Sequence, residues 1–212
     1  MNSVYFQHER RSSNKISNAN ALARSEFMNH LATSKEDILA ASRELIKENG
    51  WTAVSIRAVA SRCSVSAGTI YNYYESKADL LGDTIESIWR EIFFHPEDEQ
   101  VFQDIAACIS WIYKRLEYGN EQFPGFFSLH SFGFVKDEET DGKKKMLQTW
   151  GHILNGLCDI LKNDPTIRPD VFDQQFTEKQ FADILFSFIL VSMIRQDYNP
   201  SSILMLIHKT LY

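Results

Sequence analysis

The chain has 212 residues, of which 44% are hydrophobic and 24% are charged, and its formal net charge is −6. Its three cysteines are far apart and form no CxxC pair, which argues against a disulfide scaffold or a cysteine zinc site. No apolar run reaches the roughly 18 residues of a membrane span, and the polar start lacks the apolar core of a signal peptide. We therefore expect a cytoplasmic protein, and the acidic balance by itself argues mildly against nucleic acid as a partner.

Charged and aromatic residues are distributed unevenly along the chain. Residues 1–80 hold ten Lys and Arg against eight Asp and Glu, a net charge of +2, whereas residues 81–212 hold twelve against twenty, a net charge of −8. Only seven of the 27 aromatic residues precede residue 81. This contrast predicts two modules with different roles, at 33–80 and 81–212, preceded by an Asn/Ser-rich tail at 1–32.

Helix signals in the first module are dense. N-capping residues precede short apolar stripes of helical spacing, and turn residues follow them. The predicted helix starts, in chain order, are Thr33-x-x-Glu36, Ser55, Ser66 and Ser76-x-x-Asp79. The corresponding predicted ends are Asn49-Gly50, a point near Cys63, a point near Tyr73, and His95-Pro96.

The periodicity stays helical in the second module. Apolar stripes run from Val101 to Leu116, closed by Gly119-Asn120, and from Met146 to Leu161. Thr177-x-x-Gln180 predicts the cap of a long apolar helix at Glu178–Arg195, and Ser201–Leu211 is the last predicted helix. No alternating β-branched run bounded by turn residues occurs, so we predict an all-α fold of about nine helices.

The third predicted helix carries the residues that point to function. The run Ser66-Ala67-Gly68-Thr69-Ile70-Tyr71-Asn72-Tyr73-Tyr74 mixes small and hydrogen-bonding side chains with one apolar residue, Ile70. A helix that enters a major groove needs small residues for close approach and polar tips for base edges and phosphates. Arg57, Arg62 and Lys77 add positive charge, and Glu75 is the only acid between Trp51 and Lys77. This local charge of +2 favours DNA as a partner.

The segment Lys35–Leu81 resembles the DNA-binding domain of TetR-type transcriptional regulators. The resemblance is carried by Gly50-Trp51-Thr52-Ala53-Val54-Ser55-Ile56-Arg57-Ala58-Val59-Ala60 and by Val65-Ser66-Ala67-Gly68-Thr69-Ile70-Tyr71-Asn72-Tyr73-Tyr74-Glu75-Ser76-Lys77-Ala78-Asp79-Leu80-Leu81. Two departures are visible. Family members usually have Gly in the turn where this chain has Ser64, and often Lys where it has Ala67. Because a positive φ costs Ser more than Gly, we expect some strain in the turn.

The resemblance implies an N-terminal helix-turn-helix domain and a larger C-terminal helical domain. The implied DNA-binding residues are Ser55, Arg57, Ser66, Thr69, Tyr71, Asn72, Tyr73 and Lys77. Among them, Arg57 could instead be a solvated surface charge and Tyr73 a packing residue. Ile70 and Tyr74 are expected in the core of the three-helix unit.

The resemblance also implies that the second module dimerises and encloses a small-molecule pocket. A two-fold protein reads a palindromic operator with half-sites about 34–36 Å apart. The predicted dimer seam comprises Trp150, Leu154, Leu157, Phe181, Leu185, Phe188 and Ser192. The predicted pocket for an apolar or aromatic effector comprises Trp89, Phe93, Trp111, Phe123, Phe126, Phe127, His130 and Trp150, with His130 or Glu117 as the orienting polar group. A helix of Glu178–Arg195 buried within one monomer is the alternative to the seam.

Other classes of function have less support in the sequence. The six histidines are scattered, and no HExxH, nucleophile elbow, GxGxxG or P-loop motif occurs, so we expect neither an enzyme nor a cofactor or metal site. Cys108 and Cys158 are interpreted as small core residues. The remaining alternative is a helix-turn-helix regulator that acts through protein partners without a small-molecule effector. A closed cavity would favour the effector, and a filled core would favour protein partners.

Overall fold

The computed structural model describes residues 33–93, 102, 104–127 and 141–212, and in 141–163 it describes side chains from Trp150 onward. Every regular element in these ranges is helical, with eight α-helices and one short 3-10 turn, which agrees with the predicted all-α class. None of the helices in these ranges is long and apolar enough to cross a membrane. The chain divides into two compact units, one ending at Ser87 and the other beginning at Ile88.

The first unit is built from short helices. They are α1 (Lys35–Asn49), a 3-10 turn (Trp51–Ala53), α2 (Ile56–Arg62), α3 (Ala67–Tyr71) and the first part of α4 (Lys77–Phe93). Their apolar faces meet in a core that includes the fully buried Ile38, Val54, Val59, Ile70, Tyr74 and Leu80. The division after Ser87 and the predicted one between residues 80 and 81 both fall within α4.

The helix starts of this unit follow from local capping chemistry. The hydroxyls of Ser55 and Ser66 accept hydrogen bonds from backbone N–H groups three residues later, as predicted for N-caps. The prediction for α1 was wrong by one residue, because its cap is Ser34 and not Thr33. Asp37 Oδ2 accepts from the Ser34 backbone N–H at 2.8 Å while Ser34 Oγ accepts from the Asp37 N–H at 3.1 Å, which completes a capping box.

The turn between α2 and α3 contains a serine in the left-handed region. Ser64 has φ +57°. Two backbone hydrogen bonds close the turn: the Ser64 N–H donates to the Ser61 carbonyl at 3.1 Å, and the Val65 N–H donates to the Ala60 carbonyl at 2.9 Å. This paired pattern is the Schellman ending of a helix, in which the left-handed position normally belongs to Gly. The expected strain at Ser64 is therefore present in the backbone.

Replacing Ser64 with glycine should raise the free energy of unfolding by about 0.5–1 kcal/mol. A left-handed conformation costs a non-glycine residue about 1–2 kcal/mol, and the larger unfolded-state entropy of glycine offsets part of that gain. Urea unfolding followed by circular dichroism measures the change. The matched control is Ser61→Gly, which places glycine inside α2 and should lower stability by about 0.5–1 kcal/mol. A loss of stability in Ser64→Gly would contradict this account.

The second unit is built from longer helices. They are the end of α4, α5 (Ile105–Gln122), α6 (Asp141–Asn163), α7 (Glu178–Arg195) and α8 (Ser201–Leu211). α7 packs along α6, and α8 packs against α5. Thr177 and Gln180 form the capping box of α7, as predicted.

The predicted helix end at Gly119-Asn120 was wrong, because α5 continues to Gln122. Gly119 is buried within α5, and a Cβ placed on it would lie 2.6 Å from Ile92 Cδ1 and 3.0 Å from Phe127 Cζ. The glycine therefore serves close packing rather than helix termination.

A buried carboxylate joins three parts of the second unit. Asp164 follows α6 and is 6% exposed. Its Oδ2 accepts from Tyr212 Oη at 2.7 Å and from the Ile105 N–H at 3.3 Å, and its Oδ1 accepts from the Thr166 N–H at 2.9 Å. Burial alone raises the pKa of this carboxyl, but the hydrogen bonds from Thr166, Tyr212 and Ile105 outweigh it and hold the pKa below its usual 3.8.

Asp164→Asn should lower the free energy of unfolding at pH 7 by about 2–3 kcal/mol, because hydrogen bonds to a charged acceptor are lost and an amide N–H₂ faces other donors. Since the folded pKa is depressed, the ionised group stabilises the fold above its unfolded pKa of 3.8, and this contribution disappears as pH falls through the folded value. The difference between the wild type and the variant should therefore shrink below about pH 4. Urea unfolding across this range measures it, with the exposed Asp170→Asn as the control. A constant difference would contradict the assignment.

Candidate functional site

The exposed side of α3 is made by two adjacent side chains. Tyr71 is 56% exposed, and Asn72, at the end of the helix, is also exposed. Ile70 is fully buried and anchors the helix on the core of the first unit. Ser66, at the start of α3, is exposed while its hydroxyl caps the helix. This geometry presents an aromatic hydroxyl and an amide to solvent on a rigid support.

Two other polar residues of α3 and the following turn face the protein. Thr69 is 4% exposed, and its Oγ1 lies 3.0 Å from Ser66 Oγ. Tyr73 Oη donates to the backbone carbonyl of Thr33 at 2.8 Å, so this ring ties the residue before the cap of α1 to the end of α3. Both side chains therefore position the helix rather than extend from it.

Most of the cationic side chains in residues 33–87 form ion pairs. Residues 33–87 contain six Lys and Arg, four of which form salt bridges: Lys35–Asp83, Arg43–Glu36, Lys47–Glu44 and Arg62–Glu48. The hydrogen bonds from Arg62 hold the pKa of Glu48 below its ordinary value. The other two cations, Arg57 on α2 and Lys77 at the start of α4, are exposed. Within residues 33–87, the positive charge outside these four ion pairs is therefore that of Arg57 and Lys77.

The start of α4 offers a helix N-terminus beside Lys77. Ser76 Oγ accepts from the Asp79 N–H at 3.1 Å, and Asp79 Oδ2 accepts from the Glu75 N–H at 3.1 Å, so the predicted cap is present. The partial positive charge of a helix N-terminus and an adjacent ammonium both favour an anion such as a phosphate.

The second unit contains a continuous cluster of aromatic rings, which we call the aromatic cluster. Trp89 packs against Phe93, Phe126 and Phe127 with centroids 5.3–5.6 Å apart, and Trp111 lies 6.0 Å from Phe93. Phe102, Phe123 and Tyr198 extend the cluster. Phe123, Phe126 and Phe127 are at most 1% exposed, so this part of the cluster is closely packed.

An arginine of α5 holds the C-terminal end of α4. Arg115 Nη2 donates to the carbonyl of Glu91 at 3.0 Å, and Arg115 Nε donates to the carbonyl of Ile92. A cation at the last carbonyls of a helix satisfies acceptors that have no partner within the helix and complements the helix dipole. Arg115 lies one helical turn after Trp111, so the end of α4 and the aromatic cluster share the same part of α5.

α7 has a large apolar face that points away from its own unit. Ile184, Phe188, Val191 and Ile194 are 40–45% exposed and recur at helical spacing. The opposite side carries the buried Phe181, Leu185, Ile189 and Ser192. A groove of about 230 Å³, lined by Leu154 and Cys158 of α6 and by Ala182 and Asp183 of α7, adjoins the start of this helix.

Comparisons with known proteins place the first unit in a family. A family described as "Bacterial regulatory proteins, tetR family" matches residues 38–84. An uncharacterized HTH-type transcriptional regulator of Lactococcus lactis subsp. lactis is 28% identical over 101 residues, which are 42% of this chain and 52% of that protein. The HTH-type transcriptional repressor KstR of Rhodococcus jostii is 45% identical over 47 residues, 22% of each chain. The chain thus spans about half the length of these curated relatives or less.

A solved structure extends the likeness beyond the first unit. The regulator FadR of Bacillus subtilis, in complex with stearoyl-CoA, is similar to this chain with a TM-score of 0.58 and 21% identity, covering 84% of this chain and 100% of that one. The likeness shows a shared helical architecture.

Residues 38–84 of this chain therefore form a segment that matches the TetR family of bacterial regulatory proteins.

Within this TetR-family domain, the structure places the predicted DNA-binding residues in two groups. Ser55, Arg57, Ser66, Tyr71, Asn72 and Lys77 lie at least partly at the surface. The prediction for Thr69 needs correction, because its side chain is buried and bonded to Ser66. Tyr73 takes the alternative role of a packing residue, since its hydroxyl is bonded to Thr33.

The described residues bring together only part of the effector pocket that was predicted in the second unit. Trp89, Phe93, Trp111, Phe123, Phe126 and Phe127 belong to the aromatic cluster, whereas Trp150 packs against Phe186 of α7, with centroids 5.7 Å apart. His130 lies outside the described residues, and Glu117 is exposed on α5. The residues missed at the sequence level are Tyr198 and Phe102, because neither lies on a predicted apolar stripe.

The residues of the predicted dimer seam differ in their exposure within the single chain. Leu157, Phe181, Leu185 and Ser192 are 0–6% exposed within the single chain, so their side chains are already used in its own core. Trp150 and Leu154 are half-buried, and Phe188 is the exposed member of the predicted set. The free apolar face of α7 is thus rotated from the predicted one.

The relatives named above are described as transcriptional regulators. In the part of the chain that the structure describes, no three His, Cys, Asp or Glu side chains are grouped to hold a metal ion. Cys108 and Cys158 are buried, as expected of core residues. Burial raises the pKa of the Cys108 thiol to about 12, which keeps it protonated and unreactive.

Proposed function

We propose that this chain is a DNA-binding transcriptional repressor that binds a palindromic operator as a homodimer in the cytoplasm and is released by a small apolar or aromatic effector. The observation that carries the DNA-binding proposal is the pair of exposed side chains on α3, Tyr71 and Asn72, flanked by the exposed cations Arg57 and Lys77. Tyrosine and asparagine tips can reach base edges or phosphates, and the two cations can neutralise phosphates on either side. The relative KstR, described as a repressor, supports the sign of regulation.

The exposed apolar face of α7 supports the homodimer. Four large apolar side chains in one helical stripe, Ile184, Phe188, Val191 and Ile194, are costly to leave in water. A two-fold axis through this face would bury each stripe against the same residues of a second copy. The half-buried Leu154 of α6 lines the groove with Ala182 and Asp183 at the start of the same helix.

The aromatic cluster and the end of α4 support the effector. FadR of Bacillus subtilis was solved with stearoyl-CoA, and a long apolar group of that kind would suit the apolar surroundings of Trp89 and Phe127. An effector that enters between Trp89 and Trp111 would displace Phe93, the last residue of α4, and disturb the carbonyls that Arg115 holds. Binding would then favour a conformation of α4 with lower affinity for DNA.

Selection of bound sequences from random double-stranded DNA, followed by footprinting, tests the DNA-binding proposal. We expect a palindromic site whose half-sites lie one helical turn, about 34–36 Å, apart. Recovery of a single unrepeated half-site would contradict the homodimer. Failure to enrich any sequence at moderate salt would contradict specific DNA binding.

The alternative regulator, controlled by a protein partner and not by a small molecule, draws support from the close packing of Phe123, Phe126 and Phe127. A filled core leaves no site for an effector without rearrangement. The two proposals differ in the response of the operator complex to small molecules. Release of operator DNA by apolar compounds supports the effector, whereas release only by a co-expressed neighbouring protein supports the partner.

A further inference from the structure

Two polar atoms in the second unit are buried without a hydrogen bond. Trp111 Nε1 and Tyr198 Oη have almost no contact with solvent and no partner among the residues that the structure describes. Buried N–H and O–H groups are nearly always paired in folded proteins, because an unpaired one loses its bonds to water without replacement. Each of these atoms therefore needs a physical explanation.

Both atoms belong to the aromatic cluster. Trp111 packs against Phe102 and Phe93 at 5.4 and 6.0 Å, and Tyr198 packs against Phe127 at 6.3 Å. Trp89 joins the two sides, since it contacts Phe93 at 5.5 Å and Phe127 at 5.6 Å. The two residues that carry the unpaired groups are therefore linked by an unbroken series of ring contacts.

Other buried tyrosines of the same unit show that pairing is available there. Tyr113 Oη lies 3.5 Å from the carbonyl of Phe188, and Tyr212 Oη donates to Asp164 at 2.7 Å. The second unit thus provides hydrogen-bond acceptors for the hydroxyl groups of these two tyrosines. The exceptions occur in the cluster that the proposed function assigns to the effector.

We propose that Trp111 Nε1 and Tyr198 Oη are hydrogen-bond donors for an effector that has an apolar body and a carbonyl-type oxygen. The inference rests on the proposed function, in which this unit binds an effector. An indole N–H can only donate, so the complementary group must be an acceptor. Burial raises the pKa of Tyr198 to about 12, which keeps its hydroxyl protonated and able to donate. Ketones, esters and carboxylates share the required oxygen, whereas a plain hydrocarbon lacks it.

The ligand-free protein provides the first test. If Tyr198 Oη is unpaired, Tyr198→Phe should leave the thermal unfolding midpoint unchanged or raise it. The matched control is Tyr212→Phe, which removes a hydroxyl of the same unit that donates to Asp164 at 2.7 Å, and it should lower the midpoint. A drop in Tyr198→Phe as large as that of the control would show that water or protein already satisfies this hydroxyl, and would overturn its assignment.

The second test uses pairs of probes in which a methyl group replaces the acceptor oxygen: acetophenone with isopropylbenzene, 2-acetylnaphthalene with 2-isopropylnaphthalene, and 2-dodecanone with 2-methyldodecane. Isothermal titration calorimetry on the full chain measures each affinity. In at least one pair we expect the carbonyl compound to bind about tenfold more tightly than its hydrocarbon, as one or two hydrogen bonds would provide. In the double variant Trp111→Phe, Tyr198→Phe the preference should fall below about threefold.

The possible outcomes of these tests distinguish failure of this inference from failure of the proposed function. Equal binding of carbonyl and hydrocarbon probes, or a preference that survives in the double variant, overturns the role of the two donors but leaves the effector site standing. Binding of no probe by a protein that still binds its operator overturns both the inference and the effector. If the unmodified chain does not bind an operator, the proposed function itself is contradicted.

Discussion

Replacing Tyr71 with alanine should weaken operator binding by about 10- to 100-fold while the protein stays folded and dimeric. Tyr71 is 56% exposed on α3 and contributes nothing to the core, so its removal costs DNA contacts and not stability. Each good contact from a recognition helix is worth about 1–3 kcal/mol, and 1.4 kcal/mol is a factor of ten. Fluorescence anisotropy with labelled operator measures the change.

The control for this variant is Met205→Ala, which removes a side chain of similar exposure, 59%, from α8 in the other unit. It should leave operator affinity unchanged. Lys77→Ala should weaken binding to all DNA sequences by a similar, smaller factor, because a phosphate contact carries no sequence information. Unchanged affinity in Tyr71→Ala at moderate salt would contradict the assignment of the α3 face.

Phe188→Asp should raise the dissociation constant of the dimer at least 100-fold. Phe188 is 43% exposed in the middle of the apolar stripe of α7, so the single chain tolerates a carboxylate at this position. In a two-fold interface the same change would bury two unpaired charges close together, which costs several kcal/mol. Sedimentation equilibrium measures the dimer, and operator affinity should fall with it.

The matched control is Met205→Asp, which places the same charge on an exposed apolar residue of α8. It should leave the dimer intact, and both variants should keep the helical circular dichroism spectrum. If Met205→Asp were a monomer and Phe188→Asp a dimer, the interface would have to be assigned to α8 and not to α7.

Local signals explain why most of the helices could be predicted from the sequence. The caps at Ser55, Ser66 and Thr177 depend on residues within one turn of the helix start, so their chemistry is visible in the sequence. The error at Thr33 has the same origin. Ser34 with Asp37 and Thr33 with Glu36 are equally good capping boxes on paper, and only tertiary packing selects between them.

Side-chain orientation was harder to predict than secondary structure. α7 is apolar on nearly all sides, so its periodicity does not distinguish the side that faces α6 from the side that faces solvent. The predicted dimer seam therefore includes both Leu185, which is fully buried, and Phe188, which is exposed. In α3, a helix of only five residues, too few positions repeat for a pattern to separate the buried Thr69 from the exposed Tyr71.

Long-range pairing also lies beyond the sequence pattern. Arg62 was counted toward a basic surface, yet it pairs with Glu48, fourteen residues away on another helix. Residues 33–80 hold six cations and six acids, so the +2 of residues 1–80 comes from residues 1–32. The net charge of a segment therefore does not show which of its cations are available at the surface, because that depends on which cations form ion pairs.

The four ion pairs of the first unit have a consequence for the way in which DNA binding responds to salt. Cations held by carboxylates displace few of the counterions condensed on a duplex, so within residues 33–87 the cations left to displace them are Arg57 and Lys77. In the proposed homodimer these two residues would neutralise about four phosphates and would contribute about −3.6 to the slope of the logarithm of affinity against that of salt. The ion pairs therefore limit how much residues 33–87 add to non-specific binding, which depends on the neutralisation of phosphates.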